Sequence, residues 1–187
     1  MFSAWGDESE SDAVRDPGAY VIAASLVRLL DLHEVRHAMR ALRRSEPKLH
    51  WRNESGARRD RIVDVLAELP VEGFVVVRKG PCSDTARHRR NKTLLALVAE
   101  LADLGCSTLT LESRGPAGDR RDLEVLARSR PADRRLAGVR VEHVPGPKDP
   151  ALWVADALCG VVTQARTGNP RYLNRLERRV KVQLIES

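Results

Sequence analysis

The sequence predicts a single α/β domain: a mixed central sheet with helices on both faces. Two observations predict it. Apolar runs of alternating or β-branched character recur between segments of helical period. From the middle of the chain onward they alternate one for one, the pattern of parallel strands joined by right-handed crossovers. In addition, 187 residues of which 42% are hydrophobic suffice for one domain that buries about 70% of its unfolded surface.

In chain order, FSAWGD (2–7) predicts a short strand running into a turn. AYVIAASLV (19–27) predicts a second strand, and the two together a hairpin. A helix follows from Asp31 with Val35, Met39 and Leu42 on one face, and a second covers Arg58 to Leu69. GFVVVRKG (73–80), β-branched and bounded by glycines, is a buried strand. The longest helix covers Thr85 to Leu104, with Gly105 at its C-cap. STLTLES (107–113) alternates cleanly, Thr108, Thr110 and Glu112 on one face and Leu109 and Leu111 on the other. A helix near Asp119 to Arg130 and the strand GVRVEHV (138–144) come next. VPGPKDP then sets up the last major helix, with Asp149 as N-cap and Pro150 at its first position. The domain is expected over 1–167, with 168–187 as a basic extension packed on or flanking it.

Composition narrows the function classes. The net charge is +6 and the isoelectric point about 9.7, which favours a polyanionic partner. Only five of the 32 basic residues are lysine, an arginine bias that GC-rich coding also produces. Aromatics at 4% argue against a base-stacking platform. No apolar run nears the ~20 residues of a membrane span, and no signal segment opens the chain. Cys82, Cys106 and Cys159 are scattered, as in a reducing compartment. A cytoplasmic protein without membrane contact is expected.

The chemistry signal lies in three separated carboxylates. Asp7 ends the first strand, Glu112 ends the strand after the long helix, and Asp156 sits inside the last helix. The helical neighbours of Asp156 are Leu152, Trp153, Cys159 and Gly160, none of which suits a carboxylate. Its charge therefore needs a partner from outside the helix. Gly160 would let the helix approach the sheet closely. Sites in open α/β sheets form beyond the carboxyl ends of strands. Carboxylates converging there repel unless divalent cations sit between them, and hard oxygen donors select Mg²⁺ or Mn²⁺, two of which serve phosphodiester hydrolysis.

At these residues the chain resembles the bacterial ribonuclease-H-like proteins grouped as domain of unknown function 3800, over about residues 2–166. The matching motifs are Gly6-Asp7-Glu8-Ser9, YVIAASLV, Glu46-Pro47-Lys48-Leu49-His50-Trp51, Leu111-Glu112-Ser113-Arg114 and Ala155-Asp156-Ala157 with Gly160. The resemblance implies a ribonuclease-H-like fold and a metal-dependent nuclease site with Asp7, Glu112 and Asp156 as ligands and Glu8 contributing. The chain departs from the family in two places: His50 matches the family's usual lysine, and Glu112 stands where aspartate is common.

Arg87, Arg90 and Lys92 at the start of the long helix, Arg114 after Glu112, and His50 are the candidates for gripping nucleic acid. A cationic first turn opposes the helix dipole, which favours a functional reason for it. Asp122 is either a fourth acidic group or a partner of nearby arginines. His33-Glu34-Val35-Arg36-His37 matches H-E-x-x-H, but its stripe lies opposite the apolar face and reads as a solvated basic surface. The alternative to a nuclease is a catalytically silent nucleic-acid-binding or regulatory module. The C-terminal segment from Arg171 to Lys181 is a candidate contact for a protein partner or a second copy.

Overall fold

A central strand is recognised by burial on both sides, and the run from Ala19 to Val27 is buried throughout. In the computed structural model, which describes residues 2–186, this run belongs to β2 (Ala19–Arg28). It pairs antiparallel with β1 (Phe2–Glu10) on one side and β3 (Val71–Lys79) on the other. β4 (Cys106–Glu112) lies parallel to β1, β5 (Arg140–Val144) parallel to β4, and β6 (Val180–Glu186) parallel to β3. The order is β5-β4-β1-β2-β3-β6. The fold class expected from the sequence, a mixed sheet covered on both faces, is the one observed.

Strand alternation sorts the side chains into two cores. Trp5, Val21, Ala23, Val75 and Val77 face α1 (Leu32–Leu42), α2 (Gly56–Glu68), α5 (Leu152–Arg166) and α6 (Arg171–Leu176). Ala4, Ile22, Phe74, Val76, Leu109 and Leu111 face α3 (Ala86–Asp103) and α4 (Pro116–Ser129). Thr85 caps α3, its Oγ1 accepting from the His88 N–H at 3.1 Å, and Gly105 follows that helix with φ 75°. Asp149 opens α5 by accepting from the Ala151 N–H at 3.1 Å. It also accepts from Trp5 Nε1 at 3.0 Å and pairs with Arg36, so one buried carboxylate ties helix, strand and α1 together.

One boundary differs from expectation in a way that matters. β1 does not turn after Asp7 but continues to Glu10, held by the β2 ladder to Tyr20. The parallel β1–β4 ladder stops at Gly6 opposite Leu111, so Asp7 is the first residue beyond the carboxyl end of that pair. The basic C-terminal segment packs into the domain: Tyr172 and Leu176 are buried in the first core, and β6 is an edge strand of the sheet. Among the described residues no helix is long and apolar enough to cross a membrane.

Candidate active site

Asp7 shares the alternation of Trp5 and so projects towards α5, where its main-chain oxygen accepts from Cys159 Sγ at 3.2 Å. Thr108, Thr110 and Glu112 occupy the face of β4 opposite Leu109 and Leu111, which places Glu112 on the same side. Asp156, one turn before Gly160 on α5, completes the group. Asp7 is 8% exposed. Burial, and then the fields of Glu112, Asp156 and Glu8, push its carboxyl from 3.8 up to about 8. Of these, Glu112 and Asp156 lie on the side of the sheet to which Asp7 projects.

The segment between α1 and α2 faces them. Leu49 is buried and the residues on either side of it turn to the acids, the alternation of an extended chain. Lys48 Nζ reaches both oxygens of Glu112, at 2.6 and 2.8 Å. His50 Nδ1 lies 2.8 Å from Asp156 Oδ1, and the Trp51 N–H donates to Asp156 Oδ2 at 2.6 Å. The outside partners that Asp156 requires are therefore these two. Burial disfavours the charge on Lys48, yet the hydrogen bond to Glu112 and the surrounding carboxylates raise its pKa. The bond to Asp156 likewise raises that of His50.

Two glycines make the arrangement possible. A Cβ at Gly146 would come within 2.5 Å of Glu112 Oε1, so this glycine leaves room for the carboxylate. Gly160 does not serve a close approach of helix and sheet, as expected. A Cβ there would overlap the indole of Trp51, so it seats the residue whose N–H holds Asp156.

Several nominated residues lie elsewhere. Glu8 follows Asp7 on a strand and therefore points to the opposite face. There Arg90 Nη1 lies 2.9 Å and Arg114 Nε 3.2 Å from its oxygens, so Glu8 is not with the other acids. Arg90 is 2% exposed and pairs with Asp122 through two bonds of 2.9 and 2.7 Å. It is a structural cation, not a surface grip. Asp122 is a partner of arginines, Arg90 and Arg114, rather than one of the acids with Asp7, and is held down to about 2: burial opposes this, but bonds from Arg90 and His143 outweigh it. Arg87 and Lys92 are exposed on α3, across the sheet from the carboxylates. Of the five cations proposed for nucleic acid, His50 alone stands among the acids. Lys48 was missed; the signal available was its position two residues from His50, flanking an apolar residue.

The donor chemistry of the cluster fits a hard divalent cation: three carboxylate groups, one of them forced towards the neutral form by burial and like charge. Among the described residues, however, no three His, Cys, Asp or Glu side chains stand grouped to hold an ion; Lys48 engages Glu112 and His50 engages Asp156.

No family model and no curated protein matches the sequence, so the resemblance to domain of unknown function 3800 rests on its motifs. Solved structures do match. A chain of the PCNA:RNase HII complex from Archaeoglobus fulgidus aligns at a TM-score of 0.56 and 16% identity, covering 95% of this chain and 77% of that one. Ribonuclease H2 from Pyrococcus horikoshii OT3 aligns at 0.57 and 14%, covering 95% and 76%. The fold is ribonuclease-H-like.

Proposed function

We propose that the protein is a divalent-cation-dependent nuclease that hydrolyses phosphodiester bonds of RNA or DNA. One observation supports the proposal: Asp7, the first residue beyond the carboxyl end of the β1–β4 pair, has its carboxyl pushed up to about 8, first by burial and then by the fields of Glu112 and Asp156. A fold held by burial and packing tolerates such repulsion where a cation relieves it. The basic surface supplies attraction for a polyanion, and the ribonuclease-H-like fold supports the same reading while leaving the activity to be argued from the site.

Asp7, Glu112 and Asp156 would hold Mg²⁺ or Mn²⁺. Bound there, the metal supplies an activated water and charge balance for the leaving oxygen. Glu112 would exchange Lys48 for a second ion. The chain's own residues do the rest. The Trp51 N–H fixes the rotation of the Asp156 carboxylate. Lys48, donating to both oxygens of Glu112, keeps that carboxylate oriented before substrate arrives. His50, anchored through Nδ1 and 44% exposed, has Nε2 available to pass a proton to the departing oxygen. It borders a cavity of about 260 Å³ that also touches Lys48 and Glu112, large enough for the sugar-phosphate at the point of cleavage.

The test is cleavage of end-labelled RNA, DNA and hybrid strands with Mg²⁺ or Mn²⁺. Cleavage by the wild type, its loss in Asp156→Asn, and unchanged affinity for the strand are expected. Salt-sensitive binding indifferent to EDTA, with no hydrolysis under either ion, would establish the silent binding module instead.

A further inference from the structure

The two edges of the sheet are built differently. β5 has five residues, carries the exposed Arg140 and Glu142, and runs into Pro145, the short, charged kind of edge that discourages a further strand. β6 has seven residues without proline or glycine, and among the described residues no strand pairs with its outer side. Its one lysine does not guard it: Lys181 Nζ lies 5.4 Å from the centroid of the Phe74 ring, drawn back over the sheet.

The backbone of β6 shows which groups stand at that edge. Arg179 O accepts from the Gly73 N–H at 2.7 Å, so Arg179 directs its main-chain groups to β3. Direction alternates along a strand, so Val180, Val182, Leu184 and Glu186 turn their N–H and C=O groups outward. Their side chains share the face of the first core, against which Val180 packs. Val182 is 40% and Leu184 54% exposed. Within the sheet they stand beside Val75 and Val77, two residues of the first core. The apolar row of that core thus runs out to the edge and stops uncovered.

We propose that this edge pairs with β6 of a second copy of the chain, antiparallel about a two-fold axis at Gln183, so that two six-stranded sheets become one continuous sheet. In this register the whole strand is matched. Val182 lies opposite Leu184 of the second copy and Leu184 opposite its Val182, while Val180 and Glu186 pair likewise. All four are outward residues, the condition for hydrogen-bonded pairs in an antiparallel ladder. Val75 and Val182 of one copy, followed by Leu184 and Val77 of the other, then form one unbroken apolar row.

Charge favours the same direction. Arg178, Arg179 and Lys181 outweigh Glu177 around the start of the strand, and Glu186 stands at its end. An antiparallel partner sets the basic start against the acidic end, where a parallel one would set like against like. The two-fold pairing also closes on itself and leaves neither copy with a free edge on this side. A strand pair of this length buries roughly 1,000 Å² in total, the low end of specific interfaces, where reversible association is the rule. The pairing is independent of the chemistry at Asp7, Glu112 and Asp156.

Sedimentation velocity of the full chain over about 1 to 200 µM tests this, the range in which a reversible dimer populates both states. A shift from 20.8 kDa towards twice that mass is expected as concentration rises. Leu184→Pro removes an outward N–H and no bond within one copy, and Val182→Lys places a charge in the apolar row. Each should weaken association about tenfold or more and leave the melting temperature at low concentration near that of the wild type; Val182→Lys decides the matter if the proline variant does not fold. Gln183 meets its own copy at a position without ladder bonds, where two Cα atoms stand about 4.5 Å apart, within reach of a disulfide. In a Cys82→Ser background, oxidised Gln183→Cys should therefore form a covalent dimer and Lys181→Cys should not. A chain that stays monomeric throughout the range overturns the proposal. So does a dimer that survives Val182→Lys, or cross-linking from position 181 as efficient as from position 183.

Discussion

Replacing Asp7 by asparagine removes the carboxylate that the fold least tolerates, and the consequence is calculable. The Asp7 pKa is raised from 3.8 to about 8, first by burial and then by Glu112 and Asp156. Between these values the unfolded chain has lost a proton that the folded chain keeps. Stability therefore falls as pH rises through this window and levels off above pH 8. Each unit corresponds to about 1.4 kcal/mol, so this group accounts for up to about 3 kcal/mol between pH 6 and pH 8. In a chain of this size that is about 6–12 °C of melting temperature. The measurement is thermal unfolding of wild type and Asp7→Asn in EDTA across pH 5 to 9, taking the difference so that other titrating groups cancel. The variant should be the more stable, by a margin that grows with pH. Adding Mn²⁺ should stabilise the wild type and flatten its pH dependence, since the ion favours the charged form, and should do little for the variant. A wild-type-minus-variant difference that stays constant with pH, or equal stabilisation of both by Mn²⁺, would refute the reasoning that these acids share a cation site.

Three further outcomes follow from the same geometry. Lys48→Met removes the cation from Glu112 in a pair whose two side chains are each less than one-fifth exposed. It should destabilise the metal-free protein by about 1–3 kcal/mol while Mn²⁺ restores more stability than in the wild type; calorimetry showing equal metal gains would contradict the role given to this lysine. Gly160→Ala forces the Trp51 ring from its seat against α5, at a cost of about 1–3 kcal/mol. Cleavage should fall with it because the Trp51 N–H no longer holds Asp156, and an unchanged rate would show that this bond is dispensable. Arg90→Met takes from buried Asp122 the guanidinium that donates two bonds to it, about 3–5 kcal/mol in denaturant unfolding. The double variant Arg90→Met/Asp122→Leu should recover most of that loss, and if it does not, the pair is not what the fold depends on there.

How far the sequence carried these conclusions can be argued residue by residue. The alternation in β4 sorted Glu112 from Leu109 and Leu111 correctly, and the apolar helical neighbours of Asp156 announced that its partner had to come from elsewhere. Thr85, Gly105, Asp149 and Pro150 marked helix ends within a residue or two. The same rules misplaced Glu8, because its resemblance to a motif outweighed the simple consequence of following Asp7 on a strand. They also took the run from Arg87 to Lys92 as one cationic surface, although a helix turns Arg90 inward while Arg87 and Lys92 stay in water.

What the sequence determined by itself was the order of the elements and which side of each faces a core. These depend on periodicities of two and 3.6 residues, and every residue needed to recognise them is close by. What only the tertiary structure decided was which charges meet. Lys48 and Glu112 are 64 residues apart, Trp51 and Asp156 105 apart, and Arg90 and Asp122 32 apart. Segments so distant have no shared periodicity, and their encounter is set by strand order, by β6 forming one edge of the sheet, and by glycines at 146 and 160 that leave space where a side chain would otherwise stand. Coulombic pairing acts over a few ångströms of space rather than along the chain, so a carboxylate's partner emerges only after the sheet has assembled.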